Sequence, residues 1–164
     1  MEMGQVMDPT SNGGRAISRA QIELLASRVS ALNQCFYWTA AHVMQLRGSS
    51  PINDIDLHAT VNANTENGVP HGALLNTFAE AVLGTDETQL DTIRNAIFTE
   101  LGPAALVDAA AVIAGFMQMD RIADAAGIPL DDFVVNATND VREDLGLHNY
   151  GSARNTLGDA GTLP

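Results

Sequence analysis

Residues 17–48 contain the feature that most constrains the fold of this chain, a helical repeat that is interrupted once. Apolar side chains recur there at the three- and four-residue spacing of one helix face. Ser18 followed by Gln21 has the pattern of a capping box, which marks the start of a helix. The dipeptide Asn33-Gln34 predicts a break, and a second helix is expected from about residue 35 to residue 47. The segment therefore predicts two successive helices.

The same two helices carry a cluster of chemically active residue types. Cys35, Trp38 and His42 stand three and four positions apart, so they share one face of the second helix. Cys35 is expected in the first turn, where the helix dipole favours the thiolate and lowers the thiol pKa. Glu23 lies twelve residues earlier, and the break allows its carboxylate to reach the thiol and the imidazole. Such a grouping suits assisted thiol chemistry or general acid–base catalysis.

The rest of the chain also predicts helices and almost no strands. Helical patterns cover residues 71–83, 86–101, 103–126 and 130–145, and residues 51–70 are expected to form a loop with one short helical turn. There are no alternating runs and no hairpin dipeptides between β-branched segments. We therefore predict an all-α fold of about six helices. The predicted divisions are an N-terminal arm (1–16), a helical domain (17–145) and an irregular C-terminal tail (146–164).

Residues 103–119 form the longest apolar run, which is interrupted by Asp108 and Gln118. A membrane-spanning helix needs about 20 apolar residues, so we expect a helix that is buried in protein. A helix that is apolar on nearly every side needs more cover than one small neighbour provides. The run therefore favours self-association of the chain.

Charge and cysteine content exclude several functional classes. Twenty acidic residues stand against eight arginines, there is no lysine, and the formal net charge is −12. This balance argues against nucleic acid and anionic lipid as partners, and the lack of lysine excludes Schiff-base chemistry. A single cysteine forms no internal disulfide, and the polar, Gly-rich N-terminus lacks an apolar signal segment. We expect a cytoplasmic protein.

The sequence gives little indication of a metal or cofactor site. His58, His71 and His148 lack the spacing of metal ligands, and Asp54 and Asp56 beside His58 are expected to bind a divalent ion only weakly. No Gly-rich phosphate loop is present. We therefore expect neither a metal nor a cofactor.

Two stretches resemble one known superfamily. The stretch RAQIELLASRVSALNQCFYWTAAHVMQLRG (19–48) resembles the signature Glu-x11-Cys-x2-Cys-x3-His of the alkylhydroperoxidase D-like, or carboxymuconolactone decarboxylase, superfamily. AVIAGFMQMDRIADAAGIPLD (111–131) is similar to that superfamily's C-terminal helix, in which Asp120 and Arg121 are expected to form ion pairs between helices or subunits. The resemblance covers residues 17–132 and implies an orthogonal helical array that assembles into dimers, trimers or hexamers.

One essential part of the signature is replaced in this chain. Glu23, Cys35 and His42 match the signature glutamate, first cysteine and histidine, but Trp38 stands at the second cysteine position. Tyr37 stands where the peroxidase branch often has a second histidine. The disulfide cycle of the peroxidase branch is therefore not available within one chain. Tyr37 and Trp38 are instead expected to form walls of the pocket.

The resemblance implies a peroxidase-type, thiol-dependent oxidoreductase with a single cysteine. Cys35 would be oxidised by a small-molecule substrate such as a hydroperoxide and reduced by an external thiol, while Glu23 and His42 move protons. Loss of turnover in Cys35→Ser would be required for this hypothesis to stand.

Two alternatives remain open. In a carboxymuconolactone decarboxylase-like acid–base enzyme, Glu23 and His42 would act on a small carboxylate or lactone without help from Cys35. An arginine such as Arg28 or Arg47, or one from a neighbouring subunit, would then hold the anion. In a non-catalytic oligomeric family member, substitution of these residues would change stability but no reaction rate.

Overall fold

A computed structural model describes residues 13–50, 54–63 and 67–158, and within these ranges every regular element is helical. The prediction of an all-α fold is confirmed. Short 3-10 turns lie at Leu57–Thr60, Leu147–Asn149 and Gly151–Ala153. The α-helices of the described residues are α1 (Arg19–Leu32), α2 (Phe36–Gly48), α3 (Gly72–Leu83), α4 (Glu87–Leu101), α5 (Pro103–Ala126), α6 (Asp132–Ala137), α7 (Asn139–Arg142) and α8 (Arg154–Leu157).

The predicted helix boundaries follow from local capping chemistry. Ser18 accepts a hydrogen bond from the backbone of Gln21, whose side chain accepts one from the Ser18 backbone, so the capping box that starts α1 is confirmed. At the start of α4, the Asp86 side chain caps the helix by accepting a hydrogen bond from the Gln89 backbone N–H. Pro103 opens α5, and Gly127 ends it with a φ of 66° that favours glycine.

The C-terminal region differs from its prediction in two places. The expected helix over residues 130–145 is two short helices, because the chain leaves helical geometry at Thr138. The tail, predicted to be irregular, contains 3-10 turns and α8 within residues 146–158. These turns pack Leu147 and Leu157 against α2, and this burial orders a segment whose composition alone indicates a loop. Residues 159–164 and residues 1–12 of the predicted arm lie outside the described residues.

Helix α1 lies at the centre of the molecule, with every residue from Gln21 to Ala31 buried. One apolar cluster joins α1 to α3, α4 and α5 around Leu25, Leu75 and Ile113. A second cluster joins Leu24 of α1 to Leu46 of α2. Because α1 is enclosed on more than one side, its polar side chains must find partners within the protein.

Helix α5 buries only one of its faces. Ala105, Ala109 and Ile113 are in the core, whereas Val107 and Ile122 are 67% and 47% exposed. By length and composition alone α5 is apolar enough to cross a membrane, and 28% of its most apolar window is buried. The described elements pack against one side of α5 only, so the outer face is exposed in the single chain and its burial in protein stays a prediction.

Candidate functional site

The break between α1 and α2 is a tight turn built from backbone hydrogen bonds. Gln34 has a φ of 56°, and the Cys35 N–H donates to the Ser30 carbonyl at 2.9 Å. Cys35 is the residue immediately before α2, where its backbone is extended. The Phe36 N–H, which starts α2, donates to the Ser152 hydroxyl at 2.9 Å, and that hydroxyl donates to the Gln34 carbonyl at 3.1 Å. This turn folds α2 back along α1.

Glu23 and His42 meet across the two helices, as the spacing predicts. Nδ1 of His42 lies 2.5 Å from Oε2 of Glu23, and the two residues are 6% and 2% exposed. Arg19, one turn earlier on α1, places Nε 2.7 Å from Oε1 of Glu23. A carboxylate held between these groups accepts from both, so Nδ1 carries a proton and donates it. The buried charge of Glu23 is therefore paired on both oxygens.

The His42 ring is fixed between two aromatic side chains. The Trp38 ring stacks on it at 5.5 Å and 26°, and the Phe116 ring meets it edge-on at 4.3 Å and 78°. The Trp38 indole N–H donates to the Met119 carbonyl of α5 at 3.1 Å, which anchors the stack. The imidazole therefore has a fixed orientation, with Nδ1 directed at Glu23.

A cavity of about 380 Å³ lies beside this imidazole. Nε2 of His42 is buried and has no hydrogen-bond partner among the described residues. The cavity has two arginines, and its apolar wall comes from α1 and α5. Its lining residues are Arg15, Arg19, Ile22, Glu23, His42, Gln45, Ala111, Val112, Gly115 and Phe116. A small amphipathic molecule with a negatively charged group fits such a lining.

The arginines expected to hold an anion are elsewhere, and this expectation is wrong. Arg28 binds the Glu80 carboxylate and donates to the Thr60 carbonyl at 3.1 Å. Arg47 pairs with Asp140 at 3.0 Å. Each of these arginines forms an ion pair with an acid on another helix, so its charge is already paired within the protein. Arg15 and Arg19, which the sequence argument omitted, line the cavity instead.

Cys35 does not line the cavity that contains Glu23 and His42. Its side chain is fully buried, and burial raises the pKa of its thiol far above the ordinary value, with Asp120 and Asp124 adding to the rise. The predicted lowering of the Cys35 pKa is therefore wrong, because burial and two nearby acids outweigh the start of α2.

Asp120 holds the end of α1 to α5. Its two carboxylate oxygens accept from the Ser30 hydroxyl and the Asn33 amide, each at 2.8 Å. Burial raises the pKa of Asp120, and these hydrogen bonds oppose the rise. Asp120 thus links two helices, but through neutral donors rather than the expected arginine. Arg121 is exposed on α5.

Tyr37 and Trp38 were expected in the pocket, and the structure places neither in the lining of this cavity. Trp38 instead stacks on the His42 ring. The Tyr37 hydroxyl donates to Asp131 at 2.7 Å on the exposed side of α2, and this hydrogen bond raises the pKa of Tyr37. Tyr37 therefore acts as a link between α2 and the segment that follows α5.

Asp54, Asp56 and His58, which were considered as a weak ion site, are not grouped as metal ligands. Among residues 13–50, 54–63 and 67–158, no group of three or more His, Cys, Asp or Glu side chains is placed to hold a metal ion. The Asp56 side chain caps the turn at Leu57–Thr60, and His58 pairs with Asp144 at 3.0 Å. These acids therefore have local structural roles.

Three residues around His42 are not among those predicted from the sequence. Arg19 precedes Glu23 by four positions and Gln45 follows His42 by three, so helical spacing alone indicates both. Arg19 donates to Gln45, which ties α1 to α2. Phe116 lies on α5, and no local pattern in the sequence indicates its contact with His42.

The comparisons with known proteins found no matching family model, no significantly similar curated protein and no significantly similar solved structure.

Proposed function

We propose that this chain is an acid–base enzyme that acts on a small carboxylate or lactone without using its cysteine. His42 is the proton carrier, and Glu23 is its buried partner. The observation that carries the proposal is the setting of the imidazole: Nδ1 is held by Glu23, Nε2 is buried without a partner, and His42 lines a cavity with two arginines.

The chemistry follows from this placement. With Nδ1 protonated, a neutral imidazole has its lone pair on Nε2, which is able to take a proton from a carbon next to a carbonyl or carboxylate. The Glu23 carboxylate stabilises the imidazolium that forms. Return of the proton from Nε2 to carbon completes an exchange. In a decarboxylation the C–CO₂ bond breaks first and leaves its electron pair on carbon. An imidazolium that has taken its Nε2 proton from solvent then protonates that carbanion.

Arg15 and Arg19 supply the positive charge that an anionic substrate needs. Two of the chain's eight arginines line this one cavity, in a protein with a net charge of −12. Arg19 also donates to Glu23, and we assign the substrate carboxylate to the two arginines together. The apolar side chains of Ile22, Val112 and Phe116 suit a small carbon skeleton.

We also propose that the chain belongs to the alkylhydroperoxidase D-like, or carboxymuconolactone decarboxylase, superfamily, as a variant close to its decarboxylase branch in chemistry. The Glu23–His42 contact, the break before Cys35 and the α5 segment support this proposal. Membership implies an orthogonal helical array and a homo-oligomer, and the exposed outer face of α5 agrees with the latter.

The test is a proton-exchange assay in deuterated water. A panel of small carboxylates and lactones is incubated with the protein, and carbon-bound hydrogen exchange, lactone opening and loss of CO₂ are followed by proton NMR. His42→Ala and Glu23→Gln are expected to lower the rate by about 100-fold or more, the usual contribution of a general base. Cys35→Ser is expected to keep the wild-type rate.

His58→Ala and Glu143→Gln are matched controls, since both change the same residue types at exposed positions. A rate that falls with Cys35→Ser but survives Glu23→Gln would contradict the proposal. If the wild type turns over no member of the panel, the non-catalytic alternative is favoured.

The peroxidase hypothesis stays a prediction, and its central requirement is a reactive Cys35. Hydroperoxide consumption with a dithiol reductant, compared between wild type and Cys35→Ser, tests it directly. Burial of the thiol and the two acids beside it favour equal rates for the two proteins.

A further inference from the structure

The outer face of α5 is apolar and free of acidic side chains. We define it by Val107, Ala111, Ala114, Gly115, Gln118 and Ile122, all exposed. Between Val107 and Ile122, the polar residues exposed on α5 are Gln118 and Arg121. The helix has three acids, none of them exposed: Asp120 is buried, Asp108 accepts from the Ala16 N–H at 2.6 Å, and Asp124 is half-buried near Cys35.

We propose that two copies of this chain associate through the outer face of α5, and that this contact covers the mouth of the cavity at His42. The proposed contact over the cavity rests on the function proposed above only because it treats the cavity as a catalytic site. The proposed association of two copies is argued from the surface of α5 alone.

Charge favours a second copy as the occupant. Each chain carries a net charge of −12, so two copies repel each other over most of their surfaces. The residues that define the outer face of α5 bring no acid to the contact, and the charged side chain exposed beside them on this helix is Arg121. It is therefore a surface on which copies of an acidic chain meet at little electrostatic cost.

The position of the small residues favours a symmetric contact. The midpoint of Pro103–Ala126 falls between Ala114 and Gly115. In a two-fold contact the residues nearest the axis meet their own copies, so an axis at this midpoint would let the two helices approach closely. A Cβ added at Gly115 would meet nothing within 4 Å, so the backbone there is open to a neighbour.

The size of the face also fits a dimer. A helix of 24 residues spans about 36 Å, and a standard interface buries about 800 Å² on each partner. One helix face supplies part of that area. Met117 and Met119 flank it at 38% and 37% exposure and extend the apolar surface on both sides.

The cavity opens onto the same face. Ala111 and Gly115 line the cavity and are also exposed on the outer face. A second copy packed over the midpoint of α5 therefore lies across these two residues. Access to Nε2 of His42 would then depend on association, and the partner's α5 would become part of the wall around the substrate.

The test combines the mass in solution with the reactivity of a cysteine at the cavity mouth. Gly115→Cys is made in a Cys35→Ser background, and its labelling by a bulky maleimide is timed while light scattering gives the mass. Asn95→Cys on α4 in the same background is the exposed control. Ile122→Arg, placed on the outer face but away from Gly115, is the dissociating variant.

We expect a dimeric mass for the wild type and a monomeric mass for Ile122→Arg. Where nine-tenths of the chains are associated, labelling at Gly115→Cys should be about tenfold slower than in the variant that also carries Ile122→Arg, by mass action. Asn95→Cys should label equally fast in both backgrounds. Gly115 labelling needs no substrate, so this test is independent of catalysis.

Two outcomes would overturn the proposal. A wild type that is monomeric at about 100 µM and sediments with phosphatidylcholine vesicles would assign the face to lipid, and one that is monomeric without vesicles would exclude self-association. A dimer in which Gly115→Cys labels as fast as Asn95→Cys would place the interface away from the cavity.

Discussion

Glu23 and Cys35, two residues of one sequence pattern, are both buried and yet have opposite chemical environments. Glu23 is paired with Arg19 and His42, and its partner faces a cavity. Cys35 has no lining role there and lies beside the acids Asp120 and Asp124. One side of the pattern is therefore arranged to move protons, while the other holds a thiol in its protonated form.

The difference comes from α5 rather than from the pattern. Phe116 approaches His42 through an apolar edge, whereas Asp120 and Asp124, one and two turns later, bring negative charge to Cys35. Because a thiolate is disfavoured by burial and by nearby anions, the same helix that completes one site disables the other.

The largest effect that tests this contrast is the reactivity of the Cys35 thiol. Because burial and two acids raise its pKa, we expect alkylation by iodoacetamide to be at least about 100-fold slower in the native protein than in the unfolded protein. Mass spectrometry of the modified peptide measures both rates. A native thiol that reacts as fast as the unfolded one would contradict the conclusion that the protein holds Cys35 in its protonated form.

Asp124→Asn sharpens the same measurement. Removing this carboxylate, which contributes to the raised pKa of the Cys35 thiol, should speed native alkylation by a factor of about 3 to 10, the size of a pKa change of up to one unit. Asp91→Asn removes an exposed acid of a surface ion pair and serves as the control. Equal rates for wild type and Asp124→Asn would show that burial alone protects the thiol.

A smaller effect concerns stability and pH at Asp120. Its pKa is raised above the ordinary 3.8 by burial, so the native state binds more protons than the unfolded state just above that value. The stability of the wild type therefore falls as the pH rises through that window, and Asp120→Asn lacks this fall. At the acidic end the variant should be about 1 kcal/mol less stable, because an amide cannot accept from both Ser30 and Asn33.

Urea unfolding of both proteins from acidic to neutral pH measures this effect. The deficit of Asp120→Asn should shrink as the pH rises. Parallel stability curves would mean that Asp120 does not titrate differently in the two states.

The smallest effect is at Tyr37, on the far side of α2. The hydrogen bond to Asp131 raises the pKa of Tyr37, and burial raises the pKa of Tyr150, the other tyrosine. Asp131→Asn should therefore lower the pKa of Tyr37 toward 10.0, with the proton-exchange rate unchanged. Ultraviolet absorbance of tyrosinate measures the titration. A changed proton-exchange rate would indicate that Tyr37 contributes to the site at His42.

The sequence predicts the part of the site that depends on helices adjacent in the chain. Helical spacing and the break at Asn33-Gln34 are sufficient to bring Glu23 to His42, because α1 and α2 are adjacent in the chain. The same reasoning applied to Arg19 would have added it to the site.

What the sequence does not predict depends on long-range packing. The environment of Cys35 comes from acids more than eighty residues away, and Phe116 reaches His42 by packing of α5 against α1. Arg28 and Arg47 were plausible anion binders by charge, but contacts with distant Glu80 and Asp140 use their charges. The identity of a residue type gives its chemistry, whereas its distant neighbours decide whether that chemistry is available.

The hydroxyl of Ser152 has a consequence for synthesis of the chain. It satisfies the Phe36 N–H at the start of α2 from 116 residues downstream. At ribosomal rates of about 5–20 residues per second, Ser152 is synthesised on the order of 10 s after the start of α2. Proteolysis of arrested nascent chains that end before and after Ser152 would reveal the delay. The helix that carries His42 is thus among the first to be made and among the last to be completed, so a truncated product does not acquire a finished site.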